Sequence, residues 1–270
     1  MNRLLISCIS LLIFGISCTS SDRSTENEKD ESKVPIPATL LYDIVDTIRH
    51  DTQAFTEGFE FYQGKLYEST GQYGKTAIRV IDTASGRLIS QVKNPDMRIF
   101  GEGISHVNHK LYQLTYQSHQ VFVYDEDNLH QKVAELSWPK EGWGLSHDST
   151  SLLLSDGSAT IHYIRPEGFT VIKTLSIQDR NGAVDQLNEL EFINGFIYAN
   201  RWHHDQILKI DPATGYVVGE LHFEGILEQY APSFHRGEED VLNGIAWDQE
   251  NRVMYVTGKN WPLIFKVKLR

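Results

Sequence analysis

Two glutamates, two asparagines and a tryptophan open five copies of one short phrase in this chain: Glu57-Gly58-Phe59, Glu102-Gly103-Ile104, Trp143-Gly144-Leu145, Asn188-Glu189-Leu190 and Asn243-Gly244-Ile245. Each phrase leads into a second apolar run, and three of these runs end close to Tyr116, Trp202 or Lys259. These residue types form a chemical set. A carboxylate such as Glu102 can accept a proton and return it, as general base and then general acid. The amide of Asn188 and the ammonium of Lys259 suit a carbonyl oxygen that gains negative charge. Trp143 and Trp202 can clamp a flexible substrate in a reactive conformation. Glu57, Tyr116 and Asn243 complete a ring of aromatic and convergent polar groups, the make-up of a small-substrate pocket.

Such a ring needs a scaffold that brings equivalent positions together. The phrase recurs at intervals of about 40–50 residues, the last interval being the longest, which is the period of propeller blades. Within the first copy, Gly58–Tyr62, Lys65–Ser69, Ala77–Asp82 and Arg87–Lys93 read as strands, with turns at Gln63-Gly64 and Thr83–Gly86. The fourth copy repeats this with Gln206–Asp211, Pro212–Gly215 and Tyr216–His222, and Val121–Asp125 and Ile161–Arg165 take the third-strand place in copies two and three. The last copy stops at Ile264–Leu269, before an outer strand. Tyr42–Arg49 is expected to supply it, joining the termini and leaving no free closing edge. No segment sustains a helical apolar period over ten residues. The expected fold is all-β, a five-bladed β-propeller over residues 41–270. Trp247 and Trp138 read as packing residues within it.

The N-terminus reads differently. Asn2-Arg3, the apolar run Leu4 to Ile16 and Ser17-Cys18 have the layout of a secretory signal too short to span a membrane. Residues 1–17 are read as a signal peptide and Cys18 as the acylated cysteine of a lipoprotein, with Gly15-Ile16-Ser17 a loose match to a lipobox. The expected location is the bacterial cell envelope, with the membrane reached through the lipid anchor alone. Cys8 would leave with the signal, so no disulfide is expected. Residues 18–40 read as a disordered polar tether. The composition of the whole 270-residue chain, 40% hydrophobic, supports a sizeable core, and its net charge of −11 argues against a nucleic-acid partner. A monomer is expected.

Seven motifs in order carry a family likeness: Ala54-Phe55-Thr56-Glu57-Gly58, Glu68-Ser69-Thr70-Gly71, Phe100-Gly101-Glu102-Gly103, Gly142-Trp143-Gly144-Leu145, Leu187-Asn188-Glu189-Leu190-Glu191, Leu242-Asn243-Gly244-Ile245-Ala246-Trp247 and Val256-Thr257-Gly258-Lys259-Asn260-Trp261-Pro262. The stretch from Ile44 to Leu269 resembles the plant-type glutaminyl-peptide cyclotransferases. The resemblance implies a five-bladed propeller that converts the N-terminal glutamine of a peptide or protein to pyroglutamate and releases ammonia, with no required cofactor. It places the catalytic glutamate at Glu102, beside Asn188 and Lys259. Phe55 and Phe100 join Glu57, Tyr116, Trp143, Trp202 and Asn243 as substrate-binding residues. Gly101 and Gly103 are expected to let the backbone approach the ligand. Two positions depart from the family: Glu57 stands where most relatives have glutamine, and Tyr116 where plant members have tryptophan.

Metal signals are sparse. The 11 histidines are scattered, and His203-His204-Asp205 reads as an exposed hairpin turn. A structural Ca²⁺ on the propeller axis, held by carbonyl oxygens, is compatible with the fold. Two competing functions remain at this level. Glu57, Glu102, Asn188 and Asn243 could surround one Ca²⁺ in a lactonase-like hydrolase, or the funnel could bind ligands without catalysis.

Overall fold

The computed structural model describes residues 34–270; the signal peptide, Cys8, Cys18 and most of the tether lie outside them. Five antiparallel sheets follow one another along the chain, each running from an inner strand outward. Blade 1 comprises Thr56–Tyr62, Lys65–Thr70, Ala77–Asp82 and Leu88–Lys93. Blade 2 comprises Gly101–Val107, Lys110–Thr115, Gln120–Asp125 and Lys132–Ser137. Blade 3 comprises Leu145–His147, Leu152–Ser155, Thr160–Arg165 and Thr170–Ser176. Blade 4 comprises Leu187–Ile193, Phe196–Arg201, Gln206–Ile210 and Val217–His222. In blade 5, Leu242–Asp248, Val253–Gly258 and Leu263–Leu269 are completed by Tyr42–Arg49, whose register runs from Tyr42 opposite Leu269 to Arg49 opposite Leu263. The fold is a five-bladed β-propeller closed by its own N-terminal strand.

Five apolar clusters lie between neighbouring blades rather than in one central core. Phe59, Leu66 and Ile81 of blade 1 meet Ala246, Tyr255 and Ile264 of blade 5, for example. Trp247 and Trp138 are buried in such clusters, the packing role expected of both. The centre of the ring is too narrow for side chains from every blade. A Cβ on Gly103 would sit on the backbone of Trp143, Gly144 and Leu145, and one on Gly58 would approach the Ile104 nitrogen to 2.6 Å. The phrase glycines therefore serve blade-to-blade packing. The expectation that Gly101 and Gly103 open the backbone to a ligand is corrected: neighbouring protein atoms fill both spaces. Only blade 4 departs, with Glu189 at that place. Its carboxylate crosses the ring to accept from the Ile245 nitrogen at 2.8 Å and the Phe59 nitrogen at 3.3 Å.

Three features have no counterpart in the repeat, the first a short hairpin of Gln178–Asp179 and Gly182–Ala183 between blades 3 and 4. Ala38–Thr39, within the stretch read as tether, adds a parallel strand to the outer edge of blade 4. The long fourth interval holds an insertion between His222 and Leu242 with a one-turn helix, Ile226–Tyr230, whose Ile226 and Leu227 enter the cluster between blades 4 and 5. A helix this short leaves no sustained apolar period to read in sequence. Among the described residues no helix is long and apolar enough to cross a membrane.

Candidate active site

Each inner strand except that of blade 3 slips register against its neighbour at the first residues of the phrase: between Thr56 and Gly58, Gly101 and Ile104, Leu187 and Leu190, and Leu242 and Ile245. Such bulges re-aim side chains at the end of a strand. Here they turn Glu57, Glu102 and Asn188 into a cavity of about 410 Å³ at one mouth of the channel. Phe55, Phe100, Tyr116, Trp143, Trp202 and Lys259 line the same cavity. Nine of the ten residues singled out by sequence for catalysis or substrate binding are thus brought together.

The tenth, Asn243, stands behind the wall. It is fully buried, and its Nδ2 donates to the Thr56 carbonyl at 2.9 Å and to Glu57 Oε2 at 3.3 Å. Its assignment as a substrate-binding residue is corrected to a buttress of the Thr56–Glu57 backbone. Asn188 is the opposite case. Its Oδ1 is buried with no hydrogen-bond partner among the described residues, while the carboxamide faces the cavity. Asn243 Oδ1 is unmatched in the same way, so what separates the two asparagines is that Asn188 lines the cavity and its Nδ2 has no protein partner among the described residues, whereas the Asn243 amide is spent on Thr56 and Glu57.

The charges are arranged asymmetrically. Lys259 Nζ lies 2.8 Å from Glu57 Oε1 and 4.7 Å above the Phe55 ring. Glu57 thereby gives the lysine a carboxylate partner, and Glu102 has no direct cation partner among the described residues. Burial, then the negative charge of Glu57, push Glu102 well above the usual carboxylate range, Lys259 only partly opposing them. Burial also raises Glu57, with Lys259 pulling it back. The two carboxyls are neighbours, and their like charges oppose simultaneous ionisation.

Aromatic rings form the remaining walls. Trp143 and Trp202 meet edge to face at 5.6 Å, and Trp143 Nε1 is anchored on Glu141 Oε2 at 3.2 Å. Phe100 packs on Phe55 at 6.1 Å, on Tyr116 at 5.7 Å and on exposed Tyr73 at 5.4 Å. Gly71 is required here, because any side chain would collide with the Phe100 ring. His203 and His204 are exposed on a turn, with His203 against Trp202, while Asp205 holds Arg236 of the insertion through two bonds of 2.6 Å.

Three lining residues were not anticipated: Gln72, Glu239 and Asn260. Gln72 and Asn260 directly follow the tops of second strands, one place beyond Gly71 and Lys259, so extending the repeat by a residue would have found them. Glu239 arrives on the insertion, which no repeat predicts. Among the described residues no three His, Cys, Asp or Glu side chains are grouped to hold a metal, so an axial cation would rest on backbone oxygens. The proposed lactonase-type ligand set is broken up, with Glu57 held by Lys259 and Asn243 turned to the backbone.

A family model described as glutamine cyclotransferase matches residues 12–269. The chain is 36% identical over 230 residues to the glutaminyl-peptide cyclotransferase of Arabidopsis thaliana, covering 84% of this chain and 71% of that protein. The crystal structure of Myxococcus xanthus glutaminyl cyclase aligns with a TM-score of 0.79 and 34% identity, covering 86% of this chain and 98% of that one.

Proposed function

Since the chain belongs to the glutamine cyclotransferase family and is a glutaminyl-peptide cyclotransferase, we propose that it closes N-terminal glutamine to pyroglutamate with Glu102 as the proton shuttle and ammonia as the second product. The observation that carries this reading is the pairing of Lys259 with Glu57, which leaves Glu102 buried at the cavity wall without its own cation.

The peptide's neutral α-nitrogen attacks its own side-chain amide carbon, forming the ring C–N bond and a tetrahedral oxyanion. Asn188 Nδ2 and an N–H of Lys259 donate to that oxygen; the ammonium has three donors, and Glu57 engages one. The Glu102 carboxylic acid gives its proton to the side-chain nitrogen, the old C–N bond breaks, and NH₃ leaves. The resulting carboxylate then removes the extra proton from the ring nitrogen, and Glu102 returns to its starting form. Trp143, Trp202 and Phe100 exclude water and hold the side chain folded back on the amine. The test is incubation with a glutamine-initiated dipeptide, following ammonia and the loss of one NH₃ by mass. Absence of both with peptides of several lengths contradicts the reading.

The same reading has the enzyme exported as a monomer and held to the envelope by an acylated Cys18. Loss of membrane association in a Cys18→Ser variant would support the anchor, and retention would refute it.

A further inference from the structure

A second hollow, about 390 Å³, adjoins the catalytic cavity and shares two wall residues with it, Gln72 and Asn260. Resting on the cyclotransferase reading, we propose that this hollow is the subsite for the peptide chain that follows the cyclising glutamine, with Gln72 and Asn260 holding the first peptide group beyond it.

Cyclisation turns both the α-amine and the side-chain amide toward Glu102, so the substrate's α-carbonyl and everything after it must leave the pocket. Aromatic rings of blades 2, 3 and 4 close the cavity on one side. The polar side lies over blades 1 and 5, where Gln72 and Asn260 each follow the top of a second strand. Both hold left-handed backbone, φ 71° and 57°. That region is sparsely populated by glutamine and tends to persist where surrounding contacts fix it.

Those contacts also dictate which polar atoms remain. Gln72 Oε1 accepts from Lys75 Nζ at 2.9 Å, which leaves its Nε2 without a protein partner among the described residues. Asn260 Nδ2 donates to Asp240 Oδ1 at 2.8 Å, which leaves its Oδ1 as the unused acceptor. One unused N–H donor and one unused oxygen on a shared wall match the C=O and N–H of a passing peptide group. Beyond them, the hollow is lined by Phe234 and by the exposed Gln53, with Lys75 at its side. The substrate class is therefore an extended oligopeptide of at least three residues, in preference to a glutamine dipeptide.

The test compares kcat/KM for Gln-Ala-amide, Gln-Ala-Ala-amide and Gln-Ala-Ala-Ala-amide. The dipeptide amide already supplies the group held by Gln72 and Asn260, so apolar contact of the added residues in the hollow, against Phe234, predicts a rise of about threefold to tenfold with length, carried by KM. Gln53→Trp, which fills the hollow from an exposed position, is expected to abolish the rise and leave the dipeptide amide unchanged. Thr52→Trp, at another exposed lining position with no bond to Gln72 or Asn260, gives the same result should the first variant fold poorly. A flat series in the wild type, or a rise that survives both substitutions, overturns the subsite while turnover of the dipeptide amide still upholds the cyclotransferase reading. Failure to turn over any peptide of the series overturns both.

Discussion

The inner strands present carboxylates to two regions of the same channel, and the two sets differ in who satisfies them. At the pocket mouth, Glu57 meets Lys259 and Asn243, and Glu102 meets only Glu57 and open space. Deeper in, every carboxylate is bound by the protein. Glu189 accepts two backbone N–H groups from other blades. Glu191 accepts from Ser146 Oγ at 3.1 Å and the Trp247 nitrogen at 3.0 Å. Glu60 takes the His106 nitrogen at 2.9 Å and its Nδ1 at 2.6 Å. Burial and neighbouring carboxylates raise Glu189 and Glu191 well above the usual range, as burial and Glu57 raise Glu102. In Glu60, burial opposes ionisation but His106 outweighs it and holds the group low. A perturbed carboxyl therefore does not mark the reacting group by itself. What separates Glu102 from Glu189 is the lack of fixed partners beside a cavity.

That contrast can be broken by substitution. Glu102→Gln is expected to lower kcat by about 10²- to 10⁴-fold, the usual worth of a proton-transfer group, with an unchanged thermal unfolding curve. Asn188→Ala should lower kcat/KM by about 10²-fold with little loss of stability, since the Asn188 side-chain oxygen makes no bond to the described protein. Asn243→Ala should do the reverse. It strips a donor from the buried Thr56 carbonyl, costing about 1–3 kcal/mol in denaturant unfolding. Equal stability losses in the two asparagine variants would show that the distinction between buttress and ligand group is wrong. Gly103→Ala, which forces a Cβ onto the blade 3 backbone, should destabilise by about 1–3 kcal/mol.

The smallest effect is on pH dependence. Enzyme and substrate together bring one proton to the reaction, as Glu102 acid with amine or as carboxylate with ammonium. The rate falls at low pH, where both are protonated, and at high pH, where neither is. Glu57→Gln removes the like charge that helps raise Glu102 and releases Lys259, so the Glu102 limb of the kcat/KM profile should move to lower pH. The limb set by the substrate amine should stay. Movement to higher pH would show that Glu57 does not act on Glu102 as described.

Much of this was readable from sequence because the repeat writes backbone geometry into glycines and apolar positions. The phrase openings located Glu57, Glu102, Trp143 and Asn188 at one mouth, and the truncated last copy called for Tyr42–Arg49. Side-chain direction was less legible. Asn188 and Asn243 occupy equivalent places in their phrases, yet one faces the cavity and the other the Thr56 carbonyl, a choice settled by the neighbouring blade. Glu239 and Asp240 come on an insertion with no repeat partner. Ala38–Thr39 carries no apolar alternation to distinguish it from tether, and its strand is made by the exposed edge of blade 4.

The most direct measurement of the central claim is the initial rate of ammonia release from a glutamine-initiated peptide by wild type and Glu102→Gln at equal, saturating substrate. Robust release by the wild type and a loss of at least about 10²-fold in the variant, with both proteins equally folded, is the predicted result. A Glu102→Gln enzyme that released ammonia at the wild-type rate would contradict it.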